Sequence, residues 1–246
     1  MIIKENLAYK EEHKLQCLNL FIPEGEVRAI FVYFHGGGLD HGDMSGSNPW
    51  AEYNTDKGIA FASANYRLYP EAKYPDFIRD AASAVAYIKS ISDEIGTDKI
   101  YIGGSSAGGY LSMMLAFDKS YLTEAGVDPE SISGYFHDAG QPTAHFHVLE
   151  ERGIDTRRII VDETSPMFFV GLEEKYPRMR FIVSDNDMKN RYEQTILMLS
   201  TLKHFGHENM DLIVMNGKHC QYTRDTDDDG VVKIARMIGE FVSEDF

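Results

Sequence analysis

The sequence predicts one α/β domain in which helices cover both faces of a mostly parallel β-sheet. Two observations favour this fold class. Residues 29–34 and 59–64 are short, continuous apolar runs, which are typical of strands that are buried on both faces. Residues 77–88 then carry apolar side chains at three- and four-residue steps, the pattern of a helix. Strands that alternate with helices along a chain indicate parallel pairing.

The other elements are predicted from the same two patterns. Residues 15–22 alternate apolar and polar side chains, which indicates a half-exposed strand. The later elements are a strand over 99–103, a helix over 107–117, buried strands over 179–184 and 210–215 with a helix over 191–205 between them, and a last helix over 228–242. In such sheets the chemistry lies in loops at the carboxyl ends of the strands, and candidate residues are expected there.

Length, composition and charge limit the possible functions. The 246 residues, 43% of them apolar, suffice for one domain with a sizeable core, and no repeat or linker divides them. The net charge of −15 disfavours nucleic acid and membrane surfaces as partners. No signal peptide or membrane-spanning run is visible, which predicts a cytoplasmic protein, either monomer or homodimer. Cys17 and Cys220 cannot form a disulfide framework and lack the spacing of a zinc site.

The most specific motif is Gly-x-Ser-x-Gly at residues 104–108, between a predicted strand and a predicted helix. A strand that turns this sharply into a helix forces the central serine into a strained backbone conformation with its hydroxyl exposed. Side chains two positions to either side would collide, so glycine is expected at both. The motif predicts Ser106 as a nucleophile at the positive end of the following helix.

A second motif, His-Gly-Gly-Gly at residues 35–38, follows the predicted strand over 29–34. Glycines let the backbone approach a ligand closely and present N–H groups that no side chain blocks. A serine esterase needs such donors for the oxyanion of its tetrahedral intermediate. The sequence therefore predicts an oxyanion hole formed by the backbone N–H groups of Gly37, Gly38 and Ala107.

A serine nucleophile also needs a base and a carboxylate that orients the base. In a fold of this kind the chain order is serine, acid, histidine, and only His219 follows the last predicted strand. The acid is expected after the preceding strand, where Asp187 has more reach than Asp185, which stays the alternative. The predicted catalytic residues are thus Ser106, Asp187 and His219.

With these motifs in place, the sequence resembles the hormone-sensitive-lipase-like and bacterial feruloyl/acetyl-esterase branch of the α/β hydrolases. The matching stretches are residues 34–38, 65–71 and 104–109, and the loops of Asp187 and His219 also fit. The resemblance implies the α/β-hydrolase fold and hydrolysis of short-chain acyl esters, such as acetyl or hydroxycinnamoyl esters of carbohydrates, through an acyl-enzyme. It implies a small-molecule ester as the partner and neither a metal nor an organic cofactor.

Two departures from this resemblance affect the expected site. Many relatives have an aspartate or glutamate directly before the nucleophile, where this chain has Ser105. The chain before the first strand is also too short for the helical cap of many lipase-like members. The cap is therefore expected to be small or absent, with residues 137–176 as the only segment that covers the site.

Several other residues suggest alternatives. His145 and Phe146, together with His35, are predicted to bind substrate. His137 and His147 are predicted to belong to a polar-aromatic wall of the same pocket rather than to a metal cluster, with a plain surface position as the alternative. Residues 225–229 resemble the start of a calcium loop, but its twelfth position is Arg236, so the acids are expected to favour the last helix through its dipole. Cys220 is expected to be a small filler beside the base. Hydrolysis of amides or formamides by the same residues, and a non-catalytic binding protein, remain alternative functions.

Overall fold

Eight strands form one sheet in the computed structural model, which describes residues 1–246. The spatial order is β1-β2-β4-β3-β5-β6-β7-β8, and only the β1–β2 and β2–β4 pairs are antiparallel. The predicted α/β fold with a mostly parallel sheet is confirmed. The strands are β1 Ile2–Ala8, β2 Cys17–Ile22, β3 Ala29–Phe34, β4 Ile59–Ala64, β5 Ile100–Ser105, β6 Ile132–Asp138, β7 Arg178–Asn186 and β8 Met210–Lys218.

Helices cover both faces of this sheet. Trp50 and Phe241 lie in the core on one face, with α1 and α8, while Leu111 and Met198 lie in the larger core on the other, with α4 and α7. None of the helices is long and apolar enough to cross a membrane. The helices are α1 Asn48–Asp56, α2 Asp76–Ser90, α3 Ser92–Ile95, α4 Ala107–Phe117, α5 Ser120–Glu124, α6 Phe146–Glu151, α7 Arg191–His204 and α8 Lys233–Ser243.

The central strand β3 shows why a continuous apolar run specifies a buried strand. Ile30, Val32 and Phe34 point into the larger core, whereas Phe31 and Tyr33 point into the smaller one. Successive side chains of a strand face opposite sides, so a strand with a core on each side needs apolar residues at every position. At its carboxyl end β3 lies next to the end of β5, which places the 35–38 and 104–108 motifs side by side.

Three predicted elements differ from the structure. The first predicted strand is not half-exposed, because all of β2 is buried between β4 and the unpredicted strand β1. The strand predicted over 210–215 is not buried, since β8 is the last strand of the sheet and Val214 is 45% exposed. The last helix begins at Lys233 rather than at 228, because residues 225–229 form a turn of their own.

Candidate active site

The turn between β5 and α4 has the backbone geometry that the 104–108 motif predicts. Ser106 has φ +55° and ψ −110°. A Cβ on Gly104 would lie 2.5 Å from backbone atoms of Gly108, and one on Gly108 would lie 1.9 Å from the carbonyl oxygen of Phe34. Both glycines are therefore required by the close approach of backbone segments, and the serine is presented on a strained turn.

His219 lies between the two residues that it was predicted to contact. Its Nε2 is 2.8 Å from Oγ of Ser106, and its Nδ1 is 2.5 Å from Oδ1 of Asp187. The loops that carry the histidine and the aspartate leave neighbouring parallel strands, β8 and β7, at the same edge of the sheet. The structure thus brings the three side chains together, and their catalytic roles stay a prediction.

The environment of Asp187 keeps its carboxylate ionised. Its side chain is fully buried, and burial alone would raise the pKa of Asp187. The hydrogen bond from His219 and the backbone N–H groups of Ser184 and Met188 outweigh burial, so the pKa of this carboxyl lies below its ordinary value. An ionised carboxylate accepts the Nδ1 proton, which leaves the Nε2 lone pair of the imidazole facing Ser106.

The alternative acid, Asp185, does not contact the imidazole. Its carboxylate is exposed and accepts a hydrogen bond from the backbone N–H of Gly217 at 2.9 Å. That bond joins the ends of β7 and β8 just before the histidine loop. The geometry therefore favours Asp187 as the partner of His219.

The backbone of residues 36–38 passes next to Ser106. A Cβ on Gly36 would lie 3.3 Å from the Cβ of the serine, and Gly37 and Gly38 have positive φ angles of 117° and 63°. Neither of these two amides donates a hydrogen bond within the protein. Ala107 is the first residue of α4, where backbone N–H groups have no partner inside the helix. Gly37, Gly38 and Ala107 thus lie on the two backbone segments next to Ser106, and their role as oxyanion donors stays a prediction.

A wide, open cavity of about 890 Å³ lies over Ser106 and His219. Only five of its 22 lining residues are hydrophobic, and most of the others are glycines or residues with polar or charged side chains. The aromatic rings that line the cavity belong to Tyr33, Trp50 and Phe146, and the charged side chains that line it include Asp43, Lys218, Arg224 and Asp225.

Of the three predicted substrate-binding residues, two line the cavity. Phe146 does so, beside Gly38, and it is the only residue of the 137–176 segment that does. His35 also lines it, with its ring stacked on Tyr66 and its Nδ1 donating to the carbonyl oxygen of Gly36 at 2.6 Å. The 137–176 segment therefore contributes a wall to the cavity and leaves it open.

The predictions for His145 and His137 are wrong. His145 is buried against Tyr110 and accepts a hydrogen bond from the backbone N–H of His147, so it does not reach the cavity. His137 is buried within the core, 2.9 Å from Oγ of Ser112, and burial lowers its pKa to about 3. Both rings are neutral core side chains, because each is buried against α4, His137 at Ser112 and His145 at Tyr110.

The acidic loop and Cys220 have structural surroundings of their own. Asp227 and Asp229 form ion pairs with Arg236, which lies one turn into α8. These carboxylates therefore pair with a guanidinium group, and not with the dipole at the N-terminus of the helix as the sequence predicted. Cys220 has a positive φ of 51°, and its Sγ lies 3.6 Å from Nε2 of His219. Burial raises the pKa of this thiol well above its usual value, which fits a filler beside the base.

Sequence reasoning missed a group of residues behind the serine. Asp138, at the end of β6, accepts hydrogen bonds from the hydroxyls of Ser105 and Tyr222. The one available signal was the hydroxyl at position 105, where an acidic residue is expected from the resemblance. A hydroxyl there needs an acceptor when it is buried, but the sequence does not say which element provides it.

Part of the sequence is similar to a known protein family and to known esterases and hydrolases. A family model described as BD-FAE matches residues 18–131. Carboxylesterase NlhH of Mycobacterium tuberculosis is 36% identical over 90 residues, which is 35% of this chain and 28% of that protein. AB hydrolase superfamily protein C1039.03 of Schizosaccharomyces pombe is 35% identical over 89 residues, 35% of this chain and 26% of that protein. The chain thus spans less than a third of the length of these curated relatives.

Solved structures extend the likeness over the whole chain. A truncated carbohydrate esterase from gut microbiota superposes with a TM-score of 0.81 at 18% identity, covering 99% of this chain and 96% of the other. At such low identity the likeness shows the fold alone. The sheet order and this superposition show that the chain has the α/β-hydrolase fold. The likeness to the BD-FAE family model covers residues 18–131, a little less than half of the chain.

Proposed function

We propose that this protein is a serine carboxylesterase that hydrolyses short-chain acyl esters through an acyl-enzyme on Ser106. The observation that carries the proposal is the position of His219, whose two ring nitrogens lie 2.8 Å from the serine Oγ and 2.5 Å from the carboxylate of Asp187. Such an arrangement makes a serine hydroxyl nucleophilic, because the imidazole takes its proton as the oxygen attacks.

In the first half of the reaction, Oγ of Ser106 forms a bond to the ester carbonyl carbon while Nε2 of His219 accepts the hydroxyl proton. The carbonyl electron pair moves onto its oxygen, and the N–H groups of Gly37, Gly38 and Ala107 stabilise that oxyanion. The bond to the alkoxy oxygen then breaks. The alcohol leaves with the proton that the imidazolium returns.

In the second half, a water molecule takes the place of the alcohol. His219 removes one proton from this water as its oxygen attacks the acyl carbon, and the same backbone donors stabilise the second oxyanion. The bond between the acyl carbon and Oγ of Ser106 breaks, the serine regains its proton from the imidazolium, and the carboxylic acid is released.

The shape and lining of the cavity support a polar ester as substrate. Its aromatic lining residues, Trp50 and Phe146 among them, suit a short acyl group or a flat ring, while its charged lining residues, such as Lys218 and Asp225, suit an alcohol that carries hydroxyl groups. Because Phe146 is the only cavity residue from the 137–176 segment, no lid restricts the size of that alcohol. We propose that one domain, residues 1–246, forms the whole site and that its partner is a small-molecule ester.

The proposal is tested with Ser106→Ala and a matched control, Ser90→Ala, at an exposed serine at the end of α2. Turnover of p-nitrophenyl acetate and labelling by a fluorophosphonate should both be lost in Ser106→Ala, with kcat falling about 10⁴-fold or more, and be retained in the control. Substantial turnover by Ser106→Ala would contradict the assignment. A panel of acetyl, butyryl, octanoyl and hydroxycinnamoyl esters, with an arylformamide, then separates ester from amide hydrolysis.

A further inference from the structure

A chain of buried hydroxyls leads from the cavity wall to one carboxylate behind the serine. The hydroxyl of Tyr33 donates to Oγ of Ser105 at 2.8 Å, and Ser105 in turn donates to Oδ2 of Asp138. The hydroxyl of Tyr222 donates to the other carboxylate oxygen. Asp138 has no exposed surface, so these hydroxyls replace the water that an aspartate normally contacts.

Asp138 also contacts the nucleophile turn through its backbone. It lies beside Ser105 in the register between β6 and β5, and its carbonyl oxygen accepts the N–H of Ser106 at 2.8 Å. The backbone of Ser106 is strained, with a positive φ, and such a conformation persists only where the surroundings hold it. One residue of a neighbouring strand therefore holds the turn by a backbone bond and a side-chain bond.

The second hydroxyl bound to Asp138 comes from the loop that carries the base. Tyr222 is three residues after His219, in the 3₁₀ turn Gln221–Thr223, and its ring is buried. The bond from Tyr222 fixes this loop to the same carboxylate that fixes Ser105. Asp138 thus contacts both of the segments whose separation sets the 2.8 Å distance between His219 and Ser106.

The carboxylate is expected to carry its charge at neutral pH. Burial raises the pKa of Asp138 to about 6, against the opposing effects of the two hydroxyl donors and of nearby His219. Asp187, the other carboxylate of the site, also raises this pKa. The titratable groups that face Asp138 are His219, Asp187, Cys220, Tyr33 and Tyr222. Only the histidine among them gains a positive charge in the proposed reaction.

We propose that ionised Asp138 is a positioning residue for Ser106 and His219, and that it supplies from β6 the negative charge that resembling esterases carry at the position of Ser105. The inference rests on the proposed function. In physical terms, the buried carboxylate of Asp138 fixes the distance between Ser106 and His219, and its negative charge stabilises the imidazolium that His219 becomes when it takes the serine proton.

The first test is Asp138→Asn, which keeps the shape of the side chain and removes its charge. Rates are expressed per serine that a fluorophosphonate labels, so unfolded protein does not count. We expect kcat for p-nitrophenyl acetate to fall about 10- to 100-fold, the loss of one charge-assisted hydrogen bond, with KM within about twofold. The acid limb of the pH–rate profile should move to lower pH, because the coupled titration loses its buried carboxylate.

A merely structural role would lower the labelled fraction and leave kcat per labelled serine and the acid limb unchanged, and that result would overturn the inference. If Asp138→Asn is recovered only as insoluble protein, Tyr222→Phe carries the test, since it removes just the hydroxyl between the base loop and Asp138. Its kcat per labelled serine should fall about tenfold, whereas the buried control Tyr135→Phe, whose hydroxyl donates to the carbonyl oxygen of Leu115 and not to Asp138, should match the wild type. An unchanged kcat in Tyr222→Phe would overturn the inference.

These outcomes are separate from a failure of the proposed function. If the wild-type protein neither turns over esters nor reacts with the fluorophosphonate at Ser106, the esterase assignment fails before any Asp138 variant is measured. If Ser106→Ala is inactive while Asp138→Asn keeps the wild-type kcat and acid limb, the esterase assignment stands and only the role of Asp138 is lost.

Discussion

The nucleophile region and the acid–base region of this site are held by different kinds of interaction. Residues 18–131, the part that the family model matches, contain the serine turn and the glycine-rich 35–38 loop. In this region close packing of main-chain segments fixes the geometry, because a Cβ on Gly104 or Gly108 would lie within 2.6 Å of neighbouring main-chain atoms. Asp187 and His219 lie beyond this region, on loops positioned by side-chain hydrogen bonds from separate strands.

This difference explains how each region tolerates change. Close backbone packing has no freedom to adjust, so a single added carbon is expected to disrupt the nucleophile region. A loop held by hydrogen bonds keeps its fold when one donor or acceptor is replaced, and loses mainly the chemistry that depends on that group. Substitutions in the two regions should therefore separate loss of folded protein from loss of rate.

The largest effect is expected for Gly108→Ala. The new Cβ would lie 1.9 Å from the carbonyl oxygen and 2.6 Å from the carbonyl carbon of Phe34, both of them backbone atoms of the central strand β3. We expect little or no soluble folded protein, or a destabilisation above about 4 kcal/mol measured by chemical unfolding. The matched control is Gly25→Ala, where the added carbon meets nothing within 4 Å. Equal stability of the two variants would contradict the backbone argument.

The same difference decides what the sequence could predict. The backbone geometry of the serine turn and of the 35–38 loop was predictable because their glycines are a local requirement of the backbone. Asp187 and His219 could be chosen as candidate partners of Ser106 only from their order along the chain and their positions after predicted strands. The wrong predictions concern His145 and His137, whose direction depends on how residues 137–176 pack against α4, a long-range contact that no local pattern encodes.

The sheet shows the same division. The buried runs over 29–34 and 59–64 were predicted at their observed bounds, because a strand covered on both faces needs apolar residues throughout. β8 was mistaken for a buried strand since its apolar content resembles theirs, although it has a neighbour on one side only. Which strand lies at an edge is a property of the topology, so a single segment does not reveal it.

A large effect on rate, with the fold kept, is expected for Asp187→Asn. The amide keeps the size of the side chain but favours the wrong tautomer of His219, with its proton on the nitrogen that faces Ser106. We expect kcat for p-nitrophenyl acetate to fall about 10⁴-fold, with a circular dichroism spectrum like that of the wild type.

Asp185→Asn is the matched control for this variant. Its carboxylate lies two residues away and accepts only the exposed backbone N–H of Gly217, which an asparagine oxygen can also accept. Its kcat is expected to stay within a few-fold of the wild type, about the effect of a surface substitution. A larger loss of rate in Asp185→Asn than in Asp187→Asn would exchange the two assignments.

The smallest predicted effect concerns stability and pH at Asp138. Its pKa in the folded protein is about 6, above the ordinary carboxyl value of 3.8, because the group is fully buried. The folded state therefore binds the proton more tightly than the unfolded state, and this contribution to stability is present below pH 3.8 and is lost as the pH rises through 6. Asparagine does not titrate, so Asp138→Asn should remove this loss.

The measurement is the free energy of unfolding of both proteins between pH 4 and pH 7. The stability of Asp138→Asn relative to the wild type should increase over this range by about 2 kcal/mol, most of the equivalent of a shift of about two pKa units. A difference that stays constant with pH would mean that the carboxylate is not desolvated in the folded protein. If the relative stability of Asp138→Asn increases with pH and its kcat is lower than that of the wild type, the buried charge of Asp138 lowers the stability of the protein and raises its rate.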